Sequence, residues 1–157
     1  MSNEATKQIE RSEQLERPNR MACPGEAKRN DTVTLAYWMI LACAMLPYLT
    51  VAVAKYRPDY DNAAPRTQLA AAEGSRLRAY WAHLNHFEAF PPFAAAVIIA
   101  HLAQARQDWV DLLAAAFVAL RVLYAVLYVA DRPTARSLVW AAAFFCMVGL
   151  FVTAAIG

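Results

Sequence analysis

The residues with chemistry to offer stand close together. Arg78 to Phe93 reads Arg-Ala-Tyr-Trp-Ala-His-Leu-Asn-His-Phe-Glu-Ala-Phe-Pro-Pro-Phe and runs unbroken into the apolar stretch Phe93–Ala100. It brings a carboxylate (Glu88), an amide (Asn85) and two imidazoles (His83, His86) into a segment otherwise composed for lipid. An ionisable group inside a membrane segment is expensive unless partnered, so each marks a functional site by default. A later apolar run carries one charge, Arg121, with Tyr124 and Tyr128 three and seven residues on. That spacing projects all three from one helix face. The chemistry on offer is a carboxylate–guanidinium pair, a proton-cycling carboxylate, or a polar pocket for a charged ligand.

Four apolar runs must position these groups. Val33–Ala54 is uncharged over 22 residues, against the roughly 20 that cross a bilayer core. Tyr37, Trp38 and Tyr48 are interfacial candidates, and Pro47 bends the helix. Lys55–Arg78 is a polar loop whose last part, Thr67–Arg78, extends the next helix outward. The second span runs from about Tyr80 to Ala105, with a kink expected at Pro91-Pro92, which free the carbonyls of Phe87 and Glu88. Arg106–Asp111 is a short turn that makes the second and third helices antiparallel neighbours. The third span is Leu112–Ala130, Asp131–Ser137 is a tight polar turn, and the fourth span is Leu138–Ile156. The fold class is all-α, an integral membrane four-helix bundle over 32–157.

Residues 1–31 differ in kind. They carry both charges, Pro18, Pro24, Gly25 and few large apolar side chains, the composition of a disordered tail. They are not a signal peptide, since about thirty polar residues precede the first apolar run. A formal net charge of +2, without a basic patch interleaved with aromatics, gives no case for nucleic acid. Phosphate-loop, dinucleotide and Cys-x-x-Cys patterns are absent. Cys43 and Cys146 lie in apolar runs and read as small buried residues. A metal site is disfavoured because one carboxylate and scattered imidazoles lack ligand spacing. Haem is disfavoured because His83, His86 and His101 all lie on one helix.

Depth links the charges. Glu88 lies eight residues after Tyr80, about 12 Å at the helical rise. Arg121 lies ten residues before Asp131, about 15 Å from its own end by the same rise. An ion pair between Glu88 and Arg121 is therefore expected, with Asn85 one turn away. Taken alone, such a pair is as readily a bolt between helices as a site. Asn85, Tyr124, Tyr128, Arg136 and Ser137 share that half of the membrane, which favours a polar pocket opening toward loops one and three. His83, at the membrane edge, reads as a hydrogen-bonded interfacial residue. Lys55, Arg57, Arg66, Arg76, Arg78, Arg132 and Arg136 flank loops one and three, which the positive-inside rule puts in the cytoplasm.

Ala82-His83-Leu84-Asn85-His86-Phe87-Glu88, then Phe90-Pro91-Pro92-Phe93, Arg121-Val122-Leu123-Tyr124, Tyr128 and Arg136-Ser137, together resemble the MAPEG family. These are the membrane-associated proteins in eicosanoid and glutathione metabolism, which include microsomal glutathione transferases. Asp61-Asn62 and Pro65-Arg66 resemble its bacterial branch. The resemblance implies a homotrimer in a bacterial inner membrane, with glutathione as co-substrate between subunits near the cytoplasmic face. It implies Glu88 at the glutathione amino group, with Asn85 beside it, and Arg121 and Tyr128 on polar or carboxylate groups. Tyr124, His83 and Ser137 complete the implied binding set. Arg136, with Tyr128, carries the implied catalysis: a cation beside a thiol favours the thiolate.

Three positions depart from the family's pattern. Trp81 stands where many eukaryotic members carry an arginine, the first helix has no internal arginine (Lys55 and Arg57 follow its end), and Trp140 stands where some relatives place a tyrosine. The implied function is a glutathione-dependent transferase or peroxidase acting on lipophilic electrophiles. The alternatives are a small proton-coupled transporter using Glu88, against which a paired Arg121 argues, and a non-catalytic protein of the same fold.

Overall fold

A computed structural model describes residues 33–156 apart from 57 and 59. The expected disordered tail and Arg57 lie outside the described residues. Five helices follow in order: α1 Leu35–Lys55, α2 Pro65–Ala70, α3 Gly74–Leu102, α4 Gln107–Val129 and α5 Pro133–Ile156. Among the described residues there is no strand. Helix α3 packs against α1, α4 and α5, and α4 also touches α1 and α5. The four long helices therefore form a bundle in which α3 and α4 meet across the middle.

Small side chains allow that approach. Ala36, Ala96, Ala100, Ala114 and Ala143 are buried in the core with Cys43, Phe93, Val97, Val110, Phe117 and Leu150. Phe93 of α3 stacks on Phe117 of α4, with ring centroids 4.1 Å apart and planes 5° from parallel. At Gly149 of α5 an added Cβ would stand 3.3 Å from Leu113 of α4, so the glycine lets those two helices close up. The outside is as apolar as the inside: Leu41, Leu49, Val126, Phe145 and Val152 are all exposed. A soluble protein rarely exposes contiguous apolar surface on this scale. Helices α1, α4 and α5 are each long and apolar enough to cross a membrane. The chain is an all-α integral membrane bundle.

Several expected boundaries move. The helix does not run continuously over Thr67–Arg78; α2 ends at Ala70 and α3 begins at Gly74, which has φ +60. That left-handed conformation comes readily only to glycine, and here it breaks the two helices apart. The expected turn Arg106–Asp111 is helical from Gln107, with Asp108 in the first turn where the helix dipole favours an acid. The expected turn Asp131–Ser137 shrinks to three residues, because Pro133 opens α5 with its φ already set. Arg136 and Ser137 thus stand on the first helical turn. Helix α3 runs uninterrupted through Pro91 and Pro92.

Both ends of the bundle are fastened by polar side chains. Where α1 and α4 finish, Arg76 Nε donates to Ala54 O at 3.0 Å and Arg78 Nε to Val129 O at 3.1 Å. Cations thus satisfy the open carbonyls at two helix C-termini. Arg78 also pairs with Asp131 at 3.5 Å. At the other end Asp111 Oδ1 accepts from Ala36 N and from Gln107 Nε2, both at 2.8 Å, so an acid on α4 caps the start of α1. His101 Nε2 meets Thr34 Oγ1 at 2.9 Å, and its ring stacks on Tyr37. These fastenings set the register of α3 against α1 and α4.

Two helix ends use the same device without glycine. Ala105 N donates to Ala100 O and Gln104 N to His101 O, while Arg132 N donates to Leu127 O and Asp131 N to Tyr128 O. Each is a Schellman closure whose left-handed position is filled by Gln104 (φ 57) or Asp131 (φ 60).

Candidate polar site between helices three, four and five

The register explains which groups meet. Arg78 is bonded to the last residue of α4, so those two points are level. Arg121 lies eight residues before Val129, about 12 Å into the bundle. On α3 the same depth falls seven to eight residues past Arg78, at Asn85 and His86, and Glu88 lies nearly a turn deeper. Accordingly Arg121 Nη2 donates to Asn85 Oδ1 at 2.9 Å and to His86 Nδ1 at 3.1 Å. The expected Glu88–Arg121 ion pair does not form: among the described residues no acid comes within 4.0 Å of Arg121. Glu88 is reached through the amide instead, Asn85 Nδ2 donating to Glu88 Oε2 at 2.9 Å.

The chain of contacts continues toward the loop-three end. The Arg121 guanidinium lies over the Tyr124 ring at 4.5 Å. Tyr124 meets Tyr128 edge-on at 5.4 Å, and the Arg136 guanidinium lies over Tyr128 at 4.1 Å. Arg136, Tyr128, Tyr124, Arg121, His86, Asn85 and Glu88 therefore form one continuous column across α5, α4 and α3. Arg121 and His86 are each only 1% exposed. Glu88 is on the outward side.

A cavity of about 190 Å³ opens beside the deep end of this column. Asn85, Glu88 and Arg121 give it a polar end, and Phe117, Trp140 and Phe144 supply an aromatic wall. Trp140 and Phe144 stack with centroids 5.7 Å apart. Tyr124, Tyr128, Arg136 and Ser137 are not among its lining residues. Two sequence candidates are engaged elsewhere. His83 Nδ1 donates to Pro47 O at 2.8 Å, tying α3 to α1, and Ser137 Oγ donates to Pro133 O of its own helix at 3.0 Å.

The electrostatics are uneven. A guanidinium carries five donors and no acceptor, and Arg121 Nε has no partner. His86 Nε2 is likewise buried and unpartnered. Buried polar atoms are normally satisfied, and these two are exceptions. Among the described residues no group of His, Cys, Asp or Glu could hold a metal ion.

Sequence reasoning passed over three contributors. His86 is the direct partner of Arg121, and counting depth from Arg78 on α3 and Val129 on α4, instead of Tyr80 and Asp131, would have found it. Arg76 and Arg78 cap helices; their place on the first turns of α3 was the available signal.

A family model described as MAPEG family matches residues 35–156, from the first residue of α1 to the last of α5. Comparison with curated proteins gave no match, and neither did comparison with solved structures.

Proposed function

The chain belongs to the MAPEG family, and from that premise we propose that it is a glutathione-dependent membrane transferase or peroxidase for lipophilic electrophiles. The observation that carries the reading is Arg121: a buried guanidinium on a cavity wall, with no carboxylate within 4.0 Å among the described residues and with Nε unpartnered. A charge kept in that state calls for an anionic ligand. Glutathione brings two carboxylates, an ammonium group and a thiol. Arg121 takes a carboxylate, while Glu88 and Asn85 take the ammonium group. The apolar wall of Phe117, Trp140 and Phe144 faces the lipophilic partner.

Arg136 and Tyr128 serve the thiol. The thiol gives its proton to water at the loop-three mouth, and the Arg136 cation stabilises the thiolate left behind. The sulfur lone pair then attacks the electrophilic carbon, a carbon–sulfur bond forms, and the leaving group departs with its bonding pair. With a hydroperoxide, the same thiolate attacks the terminal oxygen to form a sulfenic acid, the alkoxide leaves and takes a proton from water, and a second glutathione thiol condenses with the sulfenic acid to give the disulfide and water.

In this reading α3 crosses the membrane as a fourth span, loops one and three are cytoplasmic, and three copies assemble around their α3 helices. Glu88 and Asn85 line the cavity on the outward flank of α3, where a neighbouring copy would close it. The proton-coupled transporter keeps one point in its favour: among the described residues Glu88 has no cation within ion-pair distance. The separating experiment uses protein purified in detergent. Saturable glutathione binding with conjugation of a generic aryl halide supports the transferase. No binding at millimolar thiol, with proton-coupled cation export lost in Glu88→Gln, supports the transporter.

A further inference from the structure

The contact between Arg121 and His86 has only one possible polarity. A guanidinium stays protonated and accepts no hydrogen bond. His86 Nδ1, 3.1 Å from Arg121 Nη2, must therefore accept. Its ring is then neutral, with the proton on Nε2. That Nε2–H is a buried donor without an acceptor, as is Arg121 Nε–H. The Tyr124 ring packs edge-on against His86 at 6.3 Å and offers the ring no charge.

Position 86 thus decides the charge of the site. Of the groups facing Arg121, Asn85 and His86 are its hydrogen-bond acceptors and both are neutral, while the carboxylate of Glu88 stands behind the Asn85 amide. A carboxylate at position 86 would form an ion pair with Arg121 inside the protein and leave nothing for a ligand. We infer that His86 is a specificity-determining positioning residue: it holds Arg121 with a neutral nitrogen, leaves the guanidinium's charge uncompensated, and so makes the cavity select ligands that carry a carboxylate. This rests on the reading of the cavity as the glutathione site and adds to it the residue that sets which ligand charge is accepted.

The test compares glutathione with its diester, which lacks the carboxylate charges, and with an unrelated carboxylate. Full-length wild-type protein, His86→Asn and His86→Asp are titrated in detergent with glutathione, with glutathione diethyl ester, and with laurate as a simple lipophilic carboxylate. Asparagine keeps a neutral acceptor near the Nδ1 position; aspartate supplies the internal counter-charge. Should the Asp variant fail to fold, His86→Glu carries the same carboxylate one methylene further. Wild type and His86→Asn are expected to prefer glutathione over its diester by about ten-fold or more, the scale of one charge-assisted pair. His86→Asp is expected to lose that preference. A merely structural role for His86 would weaken acid and ester together and leave their ratio unchanged. Equal binding of acid and ester by wild type, or a preference surviving in the Asp variant, overturns the inference and leaves the glutathione reading standing. Laurate binding with the same dependence on position 86, without glutathione binding, keeps the inference and removes glutathione. Binding of none of the three ligands overturns both.

Discussion

Replacing Arg121 with methionine distinguishes a ligand site from a bolt, because the two give opposite signs of evidence in stability and binding. The substitution removes hydrogen bonds to Asn85 and His86 at 2.9 and 3.1 Å. Bonds to a charged group contribute about 1.5–3 kcal/mol each, and the guanidinium's contact with Tyr124 contributes up to about 2 kcal/mol when desolvated. Against this, methionine relieves the unpartnered Nε, about 1–3 kcal/mol, and the burial of an uncompensated cation, a further several kcal/mol. Neither remaining partner is charged, so no stranded ion is left. Thermal or SDS unfolding in detergent should show a net change within about 2 kcal/mol. Glutathione affinity measured by calorimetry should fall by about 100-fold, one lost guanidinium–carboxylate contact in a dry site. A bundle destabilised by more than about 4 kcal/mol with unchanged affinity would refute the reasoning and make Arg121 a structural residue.

Other expectations follow from the same geometry. Arg136→Ala should lower turnover with an aryl halide more than it lowers glutathione affinity, and Arg136→Lys should restore part of the turnover; equal losses in both would detach Arg136 from the thiolate. Arg78→Met should destabilise the bundle by about 1–2 kcal/mol, since it uncaps α4. Asp131→Asn should change it by less than about 1 kcal/mol, because that acid is 69% exposed. Gln104→Gly should stabilise by up to about 1 kcal/mol by relieving a left-handed residue, read as a raised unfolding midpoint.

The four long helices were legible because each is a long run with little or no charge, and Arg121, Tyr124 and Tyr128 share a face by spacing alone. What was not legible was depth to within one turn. The expected Glu88–Arg121 pair assumed that α3 starts near Tyr80. The helix starts at Gly74 and is pinned to α4 through Arg78, which slides Arg121 onto Asn85 and His86. Local spacing does not encode such long-range fastenings. The closures at Gln104 and Asp131 were hidden for another reason: the usual glycine is missing, so nothing in the sequence announces them. Pro133, by contrast, was a readable signal that Arg136 and Ser137 belong to a helix.

The central claim is that the uncompensated charge at Arg121 exists to bind glutathione. Isothermal titration of glutathione into the purified wild-type protein in detergent tests it most directly. The account predicts saturable binding that weakens by about 100-fold in Arg121→Met while the variant still unfolds cooperatively at a similar midpoint. Absence of heat at millimolar glutathione from folded wild-type protein, or equal binding by the folded variant, would contradict it.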